Sequence, residues 1–236
     1  MIELPEAITL ATPLQDTVKG RRVAHVVANH SPHKWAWFHG DPETYDERLA
    51  GRKIRRVSSH GGACLCSGVS MYGGLWCWES KTVENHYYHQ ARDKPSPLAD
   101  DFDAAYFATL ADDEDVQGKS AKALLATEQR IPGQGNGVLR DFLFAGGIHP
   151  KRKVQTLSAA ERKRLFRAIR RVLADMAKRG GRDTEKDLFG EPGRYQTKLS
   201  RLTVGSPCAK CDTPILKQNY LGGSVYVCET CQPLTK

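Results

Sequence analysis

Four cysteines near the C-terminus combine a residue type and a spacing that suit metal binding. Cys208 and Cys211 form one CxxC pair, and Cys228 and Cys231 form a second pair beyond a stretch of sixteen residues. The two-residue spacing lets both thiolates of a pair turn onto one ion, and two pairs complete the tetrahedral shell of Zn²⁺. Four thiolates leave no position for water, so the sequence predicts one structural zinc ion. Two disulfides or four unrelated thiols are the alternative interpretation.

The residues between the two cysteine pairs predict the element that brings the pairs together. Residues 214–216 and 225–227 have strand character, and a glycine-containing turn around 221–224 separates them. This pattern is typical of a β-hairpin. The C-terminal segment is therefore predicted to be a zinc β-ribbon.

The composition favours a protein that binds a polyanion. The 236 residues include 35 Lys and Arg against 27 Asp and Glu, which gives a formal net charge of +8. The sequence has neither an apolar run long enough for a membrane helix nor a signal-peptide pattern, so we expect no membrane partner. Seven cysteines, four of them arranged for metal, fit a reducing cytosol.

The positive charge is concentrated between residues 150 and 182, beside the predicted zinc ribbon. This arrangement favours nucleic acid as the partner, and a merely solvated basic face is the alternative. The cations of the segment are Lys151, Arg152, Lys153, Arg162, Lys163, Arg164, Arg167, Arg170, Arg171, Lys178, Arg179 and Arg182.

Turn-forming residues and the periodicity of apolar residues divide the chain into three regions of an α+β protein. Residues 1–92 are predicted to form a β-rich, sandwich-like domain that begins with a helix over Glu3–Lys19, in which Pro13 favours an early end or a kink. Residues 98–190 are predicted to be a helical domain, and residues 200–236 the zinc ribbon. The β-like runs of the first region are Arg22–Ala28, Lys34–Phe38, Lys53–Ser59, Ala63–Cys66 and Leu75–Trp78.

Four helices are predicted in the central region. The first covers Asp100–Leu110 and the second covers Ser120–Gln129. The third begins at Asn136, and the fourth begins at Ser158, where Glu161 three residues later makes a capping box. The last helix has one apolar stripe that should face the core, formed by Leu165, Ile169, Val172, Leu173 and Met176.

A glycine-rich turn precedes the third of these helices. Gly133 and Gly135 allow backbone amides to approach a ligand closely, and a helix N-terminus favours an anion. Asn136 can cap the helix or donate to a phosphate oxygen. On physical grounds alone, an ordinary helix–helix connection is also open.

Three segments carry a resemblance to a known family. Residues 131–136 (Ile-Pro-Gly-Gln-Gly-Asn) with residues 141–150 (Asp-Phe-Leu-Phe-Ala-Gly-Gly-Ile-His-Pro) resemble the helix–two-turn–helix motif of the formamidopyrimidine-DNA glycosylase/endonuclease VIII family. Residues 1–6 are similar to its N-terminal signature, and residues 207–232 resemble its zinc finger. The three landmarks occur in the order found in that family.

The resemblance implies a base-excision DNA glycosylase with abasic-site lyase activity on damaged double-stranded DNA. The N-terminal amine, on Met1 or Ile2, would attack the sugar C1′ of a flipped nucleotide and form a Schiff base. Glu3 is the expected acid/base, and Glu6 is a second candidate carboxylate. A monomer suffices for this chemistry, and the expected location is the nucleoid within the cytoplasm.

The resemblance also implies a set of DNA contacts. Met71 is the expected wedge in the base stack, although a core methionine is the alternative. Residues 180–184 correspond to a region that approaches the flipped base in relatives. The expected phosphate-binding residues are Gln129, Gly133, Gly135, Asn136, Lys151 and Arg152.

Four departures from the family pattern favour a competing hypothesis. Ile2 stands where the family has proline, and methionine is trimmed only before small residues, so Met1 is expected to stay. Gly62 aligns with the catalytic hairpin lysine, and no arginine occurs in the ribbon turn 220–224. The β-rich region is also short. The competing hypothesis is a lesion-binding protein of the same fold without catalysis, and a general duplex-binding zinc protein is a third.

Overall fold

The computed structural model describes residues 3–28, 30, 38, 40–57 and 86–234. Within these residues lie eight α-helices, two short 3₁₀ helices (Pro42–Thr44 and Val154–Thr156) and one two-stranded sheet. No helix among them is long and apolar enough to cross a membrane. In chain order, the elements are α1 (Leu4–Val18), α2 (Tyr45–Leu49), α3 (His86–Asp93), α4 (Ala104–Asp112), α5 (Glu114–Gln117), α6 (Ala121–Ala126), α7 (Asn136–Gly146), α8 (Ala159–Lys178), β1 (Leu216–Tyr220) and β2 (Gly223–Val227).

Helix α1 forms where the apolar spacing predicts it and buries one face. Leu4 and Leu10 are almost fully buried on that face. Pro13 lies inside the helix, which continues to Val18, so the predicted early end is wrong. A proline removes one backbone donor, and here the Thr17 hydroxyl donates to the Pro13 carbonyl at 2.7 Å and supports the last turn.

The described part of the N-terminal region contains a short antiparallel pairing. Arg22 and Lys53 form an isolated bridge, and the Val23 amide donates to the carbonyl of Arg52 at 2.9 Å. The predicted strands that begin at Arg22 and Lys53 therefore take part in one short ladder. The other β-like runs lie, except for Phe38, outside the described residues.

The central region has a helical core in which α7 and α1 pack against α8. The predicted stripe of α8 is buried, and Ser158 and Glu161 cap its start, with the Ser158 amide 2.8 Å from a Glu161 carboxylate oxygen. Helix α4 begins at Ala104 rather than at residue 100, because the Asp103 side chain accepts from the Tyr106 amide at 2.7 Å.

Helix α6 ends three residues earlier than predicted. Glu128 and Gln129 have φ values of 59° and 46°, in the left-handed region, so the helix cannot continue through them. The buried turn that follows leads into α7 at Asn136, the predicted start. The central helices therefore agree with the predicted helix–two-turn–helix order.

The C-terminal ribbon is an antiparallel hairpin. Strands β1 and β2 pair from Leu216↔Val227 to Tyr220↔Gly223. Leu221 and Gly222 have φ values of 47° and 69°, as the two-residue hairpin turn of mirror-image type requires. The first strand lies later in the chain than the predicted 214–216 segment. Helices and this small sheet together confirm the α+β class, whereas the domain boundaries stay predictions.

Candidate active site and nucleic-acid interface

Glu3 connects the start of α1 with the start of α7. The Gly137 amide donates to one of its carboxylate oxygens at 2.8 Å, and the Val138 amide donates to the other at 2.7 Å. Glu3 is 2% exposed. Free amides at a helix N-terminus are natural partners of an anion. The predicted acid, Glu3, therefore contacts the two-turn motif, although the two are far apart in the sequence.

Arg182 completes this cluster and was not predicted as a site residue. Its Nε and Nη2 donate to the two carboxylate oxygens of Glu6 at 2.9 and 2.7 Å, and its Nη1 lies 3.6 Å from Glu3. The side chain is 2% exposed. The sequence signals were the resemblance, which implies that residues 180–184 approach the flipped base, and the Gly180-Gly181 pair, whose φ values of 72° and 91° turn the chain back toward α1. Glu6 is therefore held in a bidentate ion pair.

Gly137 is required by the close packing of this cluster. A Cβ on residue 137 would lie 1.5 Å from Arg182 Nη1 and 3.0 Å from a Glu3 carboxylate oxygen. These contacts are far shorter than van der Waals separation, so any side chain at this position must displace the guanidinium.

Burial sets the protonation balance of the cluster. Burial raises the pKa of Glu3 above its ordinary value, and the Glu6 charge adds to this effect, while Arg182 and the two amides oppose it. Burial also disfavours the Arg182 charge, but Glu3 and Glu6 outweigh it and raise the pKa of Arg182. Arg182 stays cationic, and Glu3 is a carboxyl that can hold and release a proton.

The glycine turn is tied to the start of α1. The Leu4 amide donates to the Gly133 carbonyl at 2.9 Å, and the Gly133 amide donates to the Gln129 side chain at 3.2 Å. Gln129 thus supports the turn from within. Gln134, between the two glycines, is 2% exposed, and neither polar atom of its amide has a hydrogen-bond partner in the described structure.

Lys122 is a second residue that sequence analysis missed. Its ammonium donates to the carbonyl of Tyr220 and, at 3.4 Å, to that of Leu221, at the tip of the ribbon. Burial, followed by the charge of Arg140, lowers the pKa of Lys122 to about 8. Its position in α6 beside buried leucines had no feature that distinguished it from a surface lysine.

The ribbon tip, Asn136 and Lys122 lie together. A Cβ on Gly223 would be 2.8 Å from Asn136 Nδ2 and 3.6 Å from Lys122 Nζ. Arg140 also holds the ribbon, because its Nη2 donates to the Ser224 carbonyl at 2.8 Å. Cations from α6 and α7 therefore reach the tip, where the sequence itself has no arginine.

The two predicted basic residues after α7 have different surroundings. The Lys151 ammonium is 5.6 Å from the centre of the Tyr220 ring, at the ribbon tip. The Arg152 Nη2 donates to the Thr156 carbonyl at 2.8 Å and to Glu161 at 3.0 Å, and its side chain is 12% exposed. The structure brings Lys151 to the ribbon tip, whereas Arg152 joins α8 to the preceding loop.

Several predicted site residues lie outside the described part of the chain. They are Met1 and Ile2, which would carry the amine, Met71 as the wedge, and Gly62 at the position of the hairpin lysine. The roles assigned to these residues remain predictions.

The four C-terminal cysteines form one compact cluster. The Sγ atoms of Cys208 and Cys231 are 3.8 Å apart, and Cys211 Sγ lies 3.4 Å from those of Cys228 and Cys231. Four metal–sulfur bonds of about 2.3 Å place sulfur atoms about 3.8 Å apart, whereas a disulfide requires about 2.05 Å. The thiols fit a four-coordinate metal site, and the disulfide alternative is wrong.

Comparison with known proteins supports the family resemblance. No family model matches the chain. A formamidopyrimidine-DNA glycosylase of Escherichia coli O6:H1 is 34% identical over 163 residues, and one of Shigella boydii serotype 18 is 35% identical over 164 residues. Each match covers 67% of this chain and 58% of the relative, so the chain spans 58% of the length of these curated relatives.

Solved structures share the fold across nearly the whole chain. The MutM (Fpg) protein of Thermus thermophilus matches with a TM-score of 0.75 at 24% identity, covering 99% of this chain and all of that one. Lactococcus lactis Fpg in complex with DNA containing an abasic site matches with a TM-score of 0.75 at 19% identity, covering 98% and 99%. The chain therefore shares the fold of these solved structures, and its matched part is 34–35% identical to the formamidopyrimidine-DNA glycosylases.

Proposed function

We propose that this relative of the formamidopyrimidine-DNA glycosylases is a base-excision DNA glycosylase with abasic-site lyase activity on damaged double-stranded DNA. The observation that carries the proposal is the Glu3 carboxylate, buried on the two amides of the α7 N-terminus with a raised pKa. Two residues separate it from the start of the chain, a reach of about 7 Å. Glu3 is therefore the acid that we propose for the N-terminal amine.

The proposed reaction uses the amine on Met1, or on Ile2 if the methionine is removed. The neutral amine nitrogen bonds to the sugar C1′ as the bond from C1′ to the base breaks, and the base leaves with that electron pair and with the proton that the attacking nitrogen gives up. The sugar ring opens as Glu3 protonates O4′, which leaves a Schiff base. Loss of a C2′ proton then expels the 3′ phosphate, and water releases the enzyme. An N-terminal amine titrates near about pH 7.7–8.0, so a useful fraction is neutral.

Glu6 and Arg182 are proposed to position Glu3 without touching the substrate. Their bidentate pair fixes the first turn of α1, and Arg182 Nη1 lies 3.6 Å from a Glu3 carboxylate oxygen. The bond from the Glu3 amide to the Glu6 carboxylate at 3.2 Å adds to this support. We therefore propose Glu6 as a positioning residue and not as a second catalytic carboxylate.

The phosphate-binding surface is proposed to comprise the Gly133–Gly135 turn, Asn136, Lys122 and Lys151. Asn136 and Lys151 are the proposed donors at the ribbon tip, and Lys122 adds positive charge beside them, whereas the amides of Gly137 and Val138 already bind Glu3. The wedge is assigned to Met71. Damaged duplex DNA is the proposed partner because Lactococcus lactis Fpg, which has this fold, was solved with DNA containing an abasic site or FAPY-dG. The nucleoid is the corresponding location.

The metal proposed for the cysteine cluster is one structural Zn²⁺. Cys208, Cys211, Cys228 and Cys231 would occupy all four positions, as their mutual distances allow. The bound ion would hold the hairpin closed and thereby keep Gly223 against Asn136. It would take no part in the reaction itself.

The decisive experiment is borohydride trapping on a duplex with one abasic site, with the Glu3→Gln variant beside the natural protein. We expect a covalent adduct on the N-terminal peptide, and trapping by Glu3→Gln should be slower by about 10²–10⁴-fold because the proton donor is lost. Glu191→Gln, at an exposed position, is the matched control and should trap normally.

Two results would contradict the proposal. An adduct on an internal lysine would assign the nucleophile elsewhere. Tight, lesion-selective binding without any adduct would establish the competing function, a damage-binding protein without catalysis, which Ile2 and Gly62 favour.

A further inference from the structure

Helix α8 has a basic face directly opposite its buried stripe. At about 100° per residue, the buried residues Leu165 to Met176 centre on one side of the helix, and the positions about 180° away form a narrow outward strip. Every residue of that strip is exposed, and none is acidic. The strip consists of Ala160, Lys163, Arg167, Arg171, Ala174 and Lys178.

The cations of this strip differ from those on its flanks in having no carboxylate partner among the residues that the structure describes. On the flanks, Arg162 pairs with Asp112, Arg164 with Glu161, Arg170 with Asp100 and Arg179 with Asp175. Within the described structure, no carboxylate pairs with Lys163, Arg167, Arg171 or Lys178. The flanking arginines are thus engaged in the fold, whereas the central row is available to a partner.

The strip is separate from the candidate active site. Helices α1 and α7, whose first turns carry Glu3 and the phosphate-binding turn, both pack on α8. The stripe they bury and the basic strip are on opposite sides of one helix, which is about 10 Å thick. A ligand on the strip therefore does not compete for the same atoms as a duplex on the two-turn motif.

We propose that this outer face of α8 is a second binding surface for duplex nucleic acid, used while the first site is occupied. Lys163, Arg167 and Arg171 follow one another at four-residue intervals, about 6 Å apart along the helix. A DNA strand presents a phosphate about every 3.4 Å of its axis, so consecutive cations can meet phosphates of one strand. The guanidinium groups can bind phosphate oxygens in a bidentate manner.

The side chains of the strip favour nucleic acid over a protein or a membrane. Protein interfaces gain most of their affinity from buried aromatic and aliphatic anchors, and a helix that lies on a membrane needs an apolar face. The strip offers only two alanines besides its four cations. Phosphate neutralisation requires no apolar anchor, because counterion release supplies the free energy.

The test measures a second duplex on a protein whose first site is already filled. One equivalent of an unlabelled duplex that contains an uncleavable abasic analogue fills the first site of the full chain, and a labelled undamaged duplex of about 20 base pairs is then titrated while anisotropy is recorded. The variant replaces Lys163, Arg167 and Arg171 by Gln, which has a similar helix propensity. The matched control keeps the positive charge at each position through Lys163→Arg, Arg167→Lys and Arg171→Lys.

We expect the natural protein and the charge-retaining control to bind the labelled duplex equally. The glutamine variant should bind it about 100-fold more weakly near about 0.1 M salt, with a salt slope shallower by about 2–3, because three phosphate contacts are lost. Its affinity for the abasic-analogue duplex should be unchanged.

Three outcomes would overturn the inference. The first is no binding of a second duplex by the natural protein, and the second is equal binding by the glutamine variant. The third is equal binding of anionic phosphatidylserine vesicles or polyglutamate to the same face. Failure of the abasic-analogue duplex to bind would instead count against the proposed function, since titration of the labelled duplex alone still reports on α8.

Discussion

A methyl group at position 137 should break the charged cluster at the candidate active site. In Gly137→Ala, the new Cβ would lie 1.5 Å from Arg182 Nη1 and 2.6 Å from Arg182 Cζ. The guanidinium must then move by about 2 Å to restore a normal contact. Because Arg182 is 2% exposed and bonded to Glu6 on its far side, it cannot move without leaving its partners. Loss of a buried ion pair costs about 3–5 kcal/mol.

Urea unfolding of the full, metal-loaded chain measures this effect. The expected loss in free energy of unfolding is about 3–5 kcal/mol, and the thermal midpoint should fall by about 10 °C for a chain of this size. Gly118→Ala is the matched control, since nothing lies within 4 Å of a Cβ there and its φ of −78° suits alanine. The control should be unchanged or more stable by about 0.4–1 kcal/mol.

A double variant tests whether Gly137→Ala destabilises the protein by displacing Arg182. If the methyl group acts by displacing Arg182, Gly137→Ala should add little to the loss already caused by Arg182→Met. A loss below about 1 kcal/mol for Gly137→Ala would refute the reasoning, because it would mean that the cluster can rearrange freely.

Three further perturbations test the remaining parts of the structure. Gln134→Leu should raise the free energy of unfolding by about 1–3 kcal/mol, because it removes a buried amide that has no hydrogen-bond partner among the described residues, and a lower urea midpoint would contradict this. Duplex affinity should fall as the pH rises through about 8, where Lys122 loses its proton, whereas Lys122→Arg should keep its affinity to about pH 9. Fluorescence anisotropy at constant salt measures both affinities. The same pH dependence in both proteins would refute a role for the Lys122 charge in DNA binding. Burial opposes the charge of Glu161, but Arg152 and Ser158 outweigh it and lower the pKa of Glu161 to about 2. Glu161 is therefore protonated less readily in the folded chain, and its contribution, present above pH 4.5, is lost as the pH falls toward about 2. In Glu161→Gln, the free energy of unfolding should therefore depend less on pH below pH 4.5. An unchanged pH dependence would count against the ion pair between Glu161 and Arg152.

Local signals in the sequence determined the elements whose causes are local. The two CxxC pairs predicted one four-cysteine cluster, because two-residue spacing and a hairpin suffice to bring the thiols together. Ser158 and Glu161 predicted the start of α8, and the spacing of its apolar residues predicted the buried stripe. The start of α7 at Asn136 followed from the glycine turn in the same way.

Some boundaries could not be predicted because backbone conformations outside the simple pattern decide them. Glu128 and Gln129 end α6 in the left-handed region, which their residue types alone do not indicate. Pro13 favoured an early end or a kink in a helix predicted over Glu3–Lys19, and the observed helix includes Pro13 and runs on to Val18. Residue propensities alone predict neither of these two helix ends.

The charged centre of the site was decided by tertiary structure alone. Arg182 meets Glu6 across 176 residues, and Lys122 meets the Tyr220 carbonyl across 98. In the sequence, each was one cation among the 35 of the chain. A charge acquires a raised or lowered pKa only when burial removes water and the fold brings a particular partner within reach. The sequence therefore determined which chemical groups the chain has, and the fold decided which of them became buried, paired and available for chemistry.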